Sequence, residues 1–107
     1  MQVQINTANN VAGREALMES IEANVRNRLA RYESRLTRVE VHVGDENGEG
    51  AEGGDKRCVM EARPAGLDPV TVTELASSID QATAGALGKL STALERTFGK
   101  LTDRKGH

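Results

Sequence analysis

Apolar and polar residues alternate strictly in the middle of the chain, in two segments joined by a polar loop. The apolar members of this alternation are Val39, Val41 and Val43 before the loop, and Cys58, Met60 and Ala62 after it. A period of two residues is typical of a strand with one buried and one solvated face. The pattern therefore predicts a β-hairpin over residues 37–63, and the rest of the chain must cover its apolar face.

The loop of this hairpin, residues 45–55, is rich in glycine and acid. Its acidic residues are Asp45, Glu46, Glu49, Glu52 and Asp55. A segment without apolar side chains to bury predicts a mobile loop. The run from Asp45 to Gly48 lacks the alternating ligands and the terminal Glu of a calcium-binding loop, so we expect no metal site there.

Two shorter segments also alternate. Val3 and Ile5 alternate with polar residues near the N-terminus, and Val70 and Val72 do so after a turn that begins at Pro64. Each pattern predicts a strand with one apolar face. Together with the hairpin, they give four strands.

The other two apolar patterns have the period of an α-helix. The first runs from about Arg14 to Ser34, and its apolar residues are Leu17, Ile21, Val25, Leu29 and Tyr32. The second follows a cap at Ser77 or Ser78 with Asp80 or Gln81 three residues later. Its inward residues are Ile79, Thr83, Ala86, Leu87, Leu90, Leu94, Phe98 and Leu101.

The order of elements predicts an α+β fold of the type βαβββα. Every strand has one apolar face and each helix has one apolar stripe, so both helices should pack on the same face of a four-stranded sheet. The residues expected on the open face are Gln4, His42, Arg57, Glu61, Arg63, Thr71 and Thr73. We expect one domain over residues 1–102 and a polar, frayed tail over residues 103–107.

Composition narrows the classes of function. No apolar run approaches the roughly 20 residues that span a bilayer, and the N-terminus lacks a signal pattern, which predicts a cytoplasmic protein without a membrane partner. The chain has no Walker loop and no HExxH or Ser/His/Asp arrangement. His42 and Cys58 should lie on opposite faces of the sheet, which disfavours a metal site. We therefore predict a protein that is not an enzyme and has no cofactor and no small-molecule substrate.

Basic residues form the main candidate for a binding site, although the net charge of the chain is −2. At 100° per residue, Lys89, Arg96 and Lys100 lie about 80° to 120° to one side of Leu90 on the second helix. Three arginines of the first helix lie within about 20° to 80° of Ile21 in the same rotational sense. They are Arg28, Arg31 and Arg35, the last of them only if the helix reaches that far.

Two such stripes on neighbouring helices would form a positive channel that suits phosphate, because the planar guanidinium of arginine binds two oxygens at once. Lys56 and Arg57, at the end of the acidic loop, are further candidates for contact with RNA. The alternative interpretation of each stripe is an ordinary solvated charged face.

Several segments carry a family resemblance. They are VEVHV (residues 39–43), DENG (45–48), DKRCVMEARP (55–64), RLARY (28–32), Ile79-Asp80 and Lys89-Leu90. These segments resemble the ribosome hibernation-promoting factor and ribosome-associated inhibitor A family, and the similarity covers nearly the whole chain. The chain resembles the short, single-domain form of that family.

The resemblance implies a fold close in plan to the double-stranded RNA-binding domain. It also implies binding to rRNA of the small ribosomal subunit, over the sites of mRNA and tRNA, during starvation or stationary phase. The chain departs from the family at Ser91-Thr92, where relatives often carry basic residues, and at Gly85 and Gly88, where charged residues are common. The alternative function is a protein-interaction module of the same fold that does not bind the ribosome.

Overall fold

The computed structural model describes residues 1–7, 13–45 and 56–105, and the side chains in these ranges except those of Asp45 and residues 100–105. The strands are β1 (Gln2–Thr7), β2 (Leu36–Asp45), β3 (Lys56–Pro64) and β4 (Val70–Ala76). The helices are α1 (Arg14–Arg28), a 3-10 helix (Ala30–Arg35) and α2 (Ile79–Lys105). The predicted mobile loop lies outside the described residues except for the backbone of Asp45.

The four strands form one mixed sheet in the order β1-β2-β3-β4. β1 pairs with β2 in parallel, with Val3 opposite Val39, and β2–β3 and β3–β4 are antiparallel. The parallel pair follows from the helical crossover between β1 and β2. These findings confirm the predicted α+β fold and its order βαβββα.

One hydrophobic core lies between the sheet and the helices. Val39, Val41, Cys58 and Met60 face inward and are fully buried. Residues of both helices complete the same core: Ile21 and Val25 from α1, and Ala82, Ala86, Leu87, Leu90, Leu94 and Phe98 from α2. Both helices therefore cover one face of the sheet, as the alternation and the helical stripes predict.

The first helical segment is divided, which corrects the predicted single α-helix from Arg14 to Ser34. α1 ends at Arg28, and the 3-10 helix follows over Ala30–Arg35. Between them, Leu29 has φ −102° and ψ 16°, outside the α-helical region. The N–H of Tyr32 then donates to the carbonyl of Leu29 at 2.9 Å, which is the tighter, three-residue bond of a 3-10 helix.

The second helix begins where its capping sequence predicts. The backbone N–H of Gln81 donates to Oγ of Ser78 at 3.1 Å, which identifies Ser78 as the N-cap residue. α2 continues to Lys105, three residues past the predicted end of the domain at residue 102. Residues 106 and 107 lie outside the described part of the chain, and the domain boundary itself stays a prediction.

Candidate nucleic-acid interface

A shallow groove of about 620 Å³ runs along the exposed side of α2. Three basic residues line it: Arg28 from the last turn of α1, and Lys89 and Arg96 from α2. Small residues form the rest of its wall, namely Ala84, Gly85, Gly88, Thr92 and Ala93. The structure thus brings together three of the predicted basic residues, one from the first stripe and two from the second. We call this set, Arg28, Lys89 and Arg96, the basic groove.

Within the described part of the chain, Arg28 and Arg96 form no ion pair, and both side chains are exposed. Their guanidinium groups can therefore accept an anion without first losing a protein partner. Since α1 ends at Arg28, the position of this side chain depends on the turn at Leu29 that stops the helix. Anions bound along the groove would meet two guanidinium forks and one ammonium.

Lys89 already has partners. Its Nζ lies 2.6 Å from Oε1 of Glu74 and donates to the carbonyl of Thr73 at 2.9 Å. Both partners belong to β4, which lies beneath α2 at the edge of the sheet. Lys89 therefore ties α2 to β4, and part of its positive charge is neutralised within the protein.

Arg31 and Arg35 do not line the groove, so the predicted stripe is divided, and their predicted contact with rRNA stays a prediction. Because the α-helix stops at Arg28, the angles calculated at 100° per residue do not apply to the 3-10 helix. Nη2 of Arg31 forms an ion pair with Oε2 of Glu95 at 3.2 Å. The guanidinium carbon of Arg35 lies 3.9 Å from the centroid of the Phe98 ring. Both arginines instead attach the 3-10 helix to α2.

The remaining candidates lie elsewhere. Lys56 and Arg57 begin β3, opposite Ala76 and Leu75 of β4, and neither lines the groove. Lys56 is half-buried, and Arg57 is exposed on the open face of the sheet. The side chain of Lys100 is outside the described part of the structure, so its predicted place in the stripe stays a prediction.

Sequence reasoning missed the two acids, Glu74 and Glu95, that pair with the basic residues. Glu95 and Arg31 are separated by 64 residues, and no local pattern connects them. Glu74 follows the alternation of β4 and could have been placed on its inward face, because Val70 and Val72 are inward. The alternation of β4 thus indicates the direction of the Glu74 side chain. It does not identify Lys89 as the partner, because that depends on how α2 is rotated against the sheet.

The open face of the sheet carries an ionic cluster around Glu40, whose side chain is only 16% exposed. Glu40 accepts a short hydrogen bond from Arg38, and Nη2 of Arg63 lies 3.9 Å from its carboxylate. Burial raises the pKa of Glu40, but the hydrogen bond and charge of Arg38 and the charge of Arg63 outweigh it, so the pKa is lowered overall. The acidic and basic side chains of this cluster neutralise one another, which leaves little positive field for an external anion.

His42 and Cys58 lie on opposite faces of the sheet, as predicted. Nε2 of His42 lies 3.5 Å from Glu40 on the open face. Cys58 is fully buried on the inward face, and burial raises the pKa of its thiol to about 12. Among the described residues, no three His, Cys, Asp or Glu side chains are grouped to hold a metal ion. None of the described helices combines the length and apolar character that a bilayer crossing requires.

Comparison with known proteins identifies structures that share this fold. The structure is similar to the N-terminal domain of Protein Y from Thermus thermophilus, with a TM-score of 0.70, 21% identity, and coverage of 91% of this chain and 99% of that one. It is also similar to a ribosomal subunit interface protein from Coxiella burnetii, with a TM-score of 0.70, 14% identity, and coverage of 92% and 99%. At these identities the likeness is one of fold, and no curated protein matches the chain. The family model described as sigma 54 modulation protein / S30EA ribosomal protein matches residues 4–102, so the chain belongs to that family.

Proposed function

We propose that this protein binds the small ribosomal subunit through the basic groove and holds the subunit idle by covering the positions of mRNA and tRNA. The observation that carries the proposal is the convergence of Arg28, Lys89 and Arg96 on one groove between two helices. Membership of a ribosomal-protein family supports the ribosome as the partner. A structural neighbour described as a ribosomal subunit interface protein supports the same partner.

The groove suits the phosphates of folded rRNA. Arginine binds two phosphate oxygens in a fixed planar geometry, and Arg28 and Arg96 have no competing acid among the described residues. The small side chains between them leave room for a sugar–phosphate backbone to approach α2. Each phosphate that the groove neutralises releases counterions, so the affinity should fall as salt rises.

The proposed action is steric and needs no catalytic step. A protein seated over the decoding region excludes mRNA and tRNA by occupying their volume, without a cofactor or a small-molecule substrate. Such a protein works in the cytoplasm with the ribosome, and it is useful when translation must be suspended, as in starvation or stationary phase.

Competition on purified small subunits tests the proposal. The labelled protein is sedimented with empty subunits, and with subunits already loaded with mRNA and initiator tRNA. We expect binding to the empty subunits and at least tenfold weaker binding to the loaded ones. An excess of the protein should likewise prevent the loading of tRNA.

Two results would count against the proposal in different ways. Equal binding to empty and loaded subunits would place the protein away from the decoding region. No binding to either at low salt would remove the ribosome as the partner and favour a protein-interaction module of the same fold.

A further inference from the structure

Two of the basic residues beside α2 are held by acids of the same chain. Lys89 pairs with Glu74 at 2.6 Å, and Arg31 pairs with Glu95 at 3.2 Å. The two arginines of the basic groove, Arg28 and Arg96, have no such partner within the described part of the chain. The positive surface of the free protein is therefore smaller than its basic residues suggest.

The Glu74–Lys89 pair is built into the contact between α2 and β4. Glu74 lies on the inward face of β4, opposite Cys58 in the register, and its side chain is 29% exposed. A Cβ atom at Gly85 would lie 2.7 Å from both Cγ and Oε2 of Glu74. The Glu74 side chain thus occupies the space that a larger residue at position 85 would take. Gly85 is what permits the carboxylate to reach Lys89.

From this geometry we infer that Glu74 acts as an intramolecular counterion that an RNA phosphate must displace from Lys89, and so sets the affinity of the basic groove. The inference rests on the proposed function, since it concerns the same RNA-binding surface. It assigns an affinity-determining role to an acidic residue, Glu74, rather than to a further cation.

The physical reason is competition for one charge. Lys89 can offer three N–H donors, and Glu74 and Thr73 already occupy two of them. A phosphate that uses the remaining donor alone gains one hydrogen bond and is repelled by the nearby carboxylate, so full binding to Lys89 requires it to replace Glu74. Exposed ion pairs are weak, so phosphate can win this competition, but each displacement reduces the affinity by a measurable factor.

A charge-matched set of variants tests the inference. Glu74→Gln keeps the shape of the side chain and removes its charge, whereas Glu33→Gln removes an equal charge from an exposed residue of the 3-10 helix that has no ion pair among the described residues. We expect Glu74→Gln to tighten binding about three- to fivefold and Glu33→Gln to change it less than twofold. In a Lys89→Gln background, the gain from Glu74→Gln should disappear, because no ammonium remains for which the carboxylate and the phosphate compete.

The titrations use two probes, a fluorescent poly(U) oligonucleotide and purified small subunits, at two salt concentrations. The sequence-independent phosphate attraction that poly(U) reports is enough to detect the release of Lys89. If the chain binds poly(U) as expected but not small subunits, the proposed function fails and the role of Glu74 stands. If Glu74→Gln weakens binding to poly(U), leaves it unchanged, or tightens it equally with and without Lys89, the role of Glu74 is overturned.

Discussion

The guanidinium carbon of Arg35 lies 3.9 Å from the centroid of the Phe98 ring, and so joins the 3-10 helix to α2. Phe98 in turn contacts Tyr32, with 5.1 Å between the ring centroids. A cation over an aromatic ring at an exposed site contributes about 0.5–1 kcal/mol. We expect Arg35→Ala to lower the free energy of unfolding by about this amount, as measured by urea denaturation.

Arg28→Ala is the matched control for this prediction, because it removes an exposed arginine that contacts no ring and no acid among the described residues. Its effect on the free energy of unfolding should be below about 0.5 kcal/mol. Equal losses in the two variants would show that the contact of Arg35 with Phe98 does not contribute to stability.

Variants at two glycines of α2 separate the effect of helix propensity on stability from the effect of the contact with Glu74. Replacement of either Gly85 or Gly88 by alanine should gain up to about 1 kcal/mol of helix propensity. A Cβ atom at Gly88 would have no described neighbour within 4 Å, whereas one at Gly85 would collide with Glu74. We therefore expect Gly88→Ala to raise the Tm more than Gly85→Ala, because only Gly85→Ala disrupts the Glu74–Lys89 pair.

In RNA binding the order of the two variants should be reversed, with Gly85→Ala showing the larger gain. Gly85→Ala pushes the Glu74 carboxylate away and so frees Lys89, which should tighten binding to poly(U). Gly88→Ala leaves the pair in place and should give no gain. Tighter binding by Gly88→Ala than by Gly85→Ala would contradict this account.

The lowered pKa of Glu40 predicts a specific dependence of stability on pH. Because the folded pKa lies below the unfolded value, the contribution of Glu40 is present above the unfolded pKa and is lost as pH falls through the folded one. Glu40→Gln should therefore reduce stability at pH 7 and have a smaller effect in acid, where the wild-type carboxylate is itself protonated. Chemical denaturation between pH 7 and pH 2 measures this, with Glu33→Gln as the control. A constant difference from wild type across that range would refute the prediction.

Cys58 should be protected from alkylation in the native protein. Its side chain is fully buried and its pKa is raised to about 12, so the reactive thiolate is scarce at pH 8. We expect iodoacetamide to label the protein at pH 8 only when denaturant unfolds the chain. Rapid labelling without denaturant would mean that the sheet opens at Cys58 far more often than its burial implies.

The repeating patterns of the sequence predicted most of the fold. Alternation located the inward residues Val39, Val41 and Met60, and the cap at Ser78 located the start of α2. The break at Leu29 was not predicted, because the apolar residues Leu29 and Tyr32 continue the helical spacing across it. A 3-10 helix keeps both residues buried, so the apolar pattern alone does not distinguish it from an α-helix.

The candidate interface was predicted less completely. Helical periodicity placed Lys89 and Arg96 together, since both lie on the same continuous helix. It could not predict that Arg28 would join them while Arg31 and Arg35 would not, because that depends on where α1 ends. Nor could it assign Glu74 and Glu95 as partners, because such pairs depend on how distant elements pack.

The affinity for small subunits across a salt series tests the central claim most directly. The groove variant Arg28→Gln/Arg96→Gln removes the two groove arginines that have no acidic partner in the described structure. The control variant Arg57→Gln/Arg63→Gln removes the same charge from the open face of the sheet. The groove variant should keep the wild-type Tm to within a few degrees, because its two side chains are exposed and form no ion pair among the described residues. The control variant also removes the contacts of Arg63 with Glu61 and Glu40, so its Tm is measured to confirm that it is folded at the temperature of the binding assay.

We predict that the groove variant binds small subunits at least tenfold more weakly than wild type at low salt, while the control loses less than half as much binding free energy. The magnitude of the slope of log affinity against log salt should decrease by about 1.4 to 1.8 in the groove variant, at about 0.7 to 0.9 for each lost phosphate contact. Equal affinities and equal slopes for wild type and the groove variant would contradict the account.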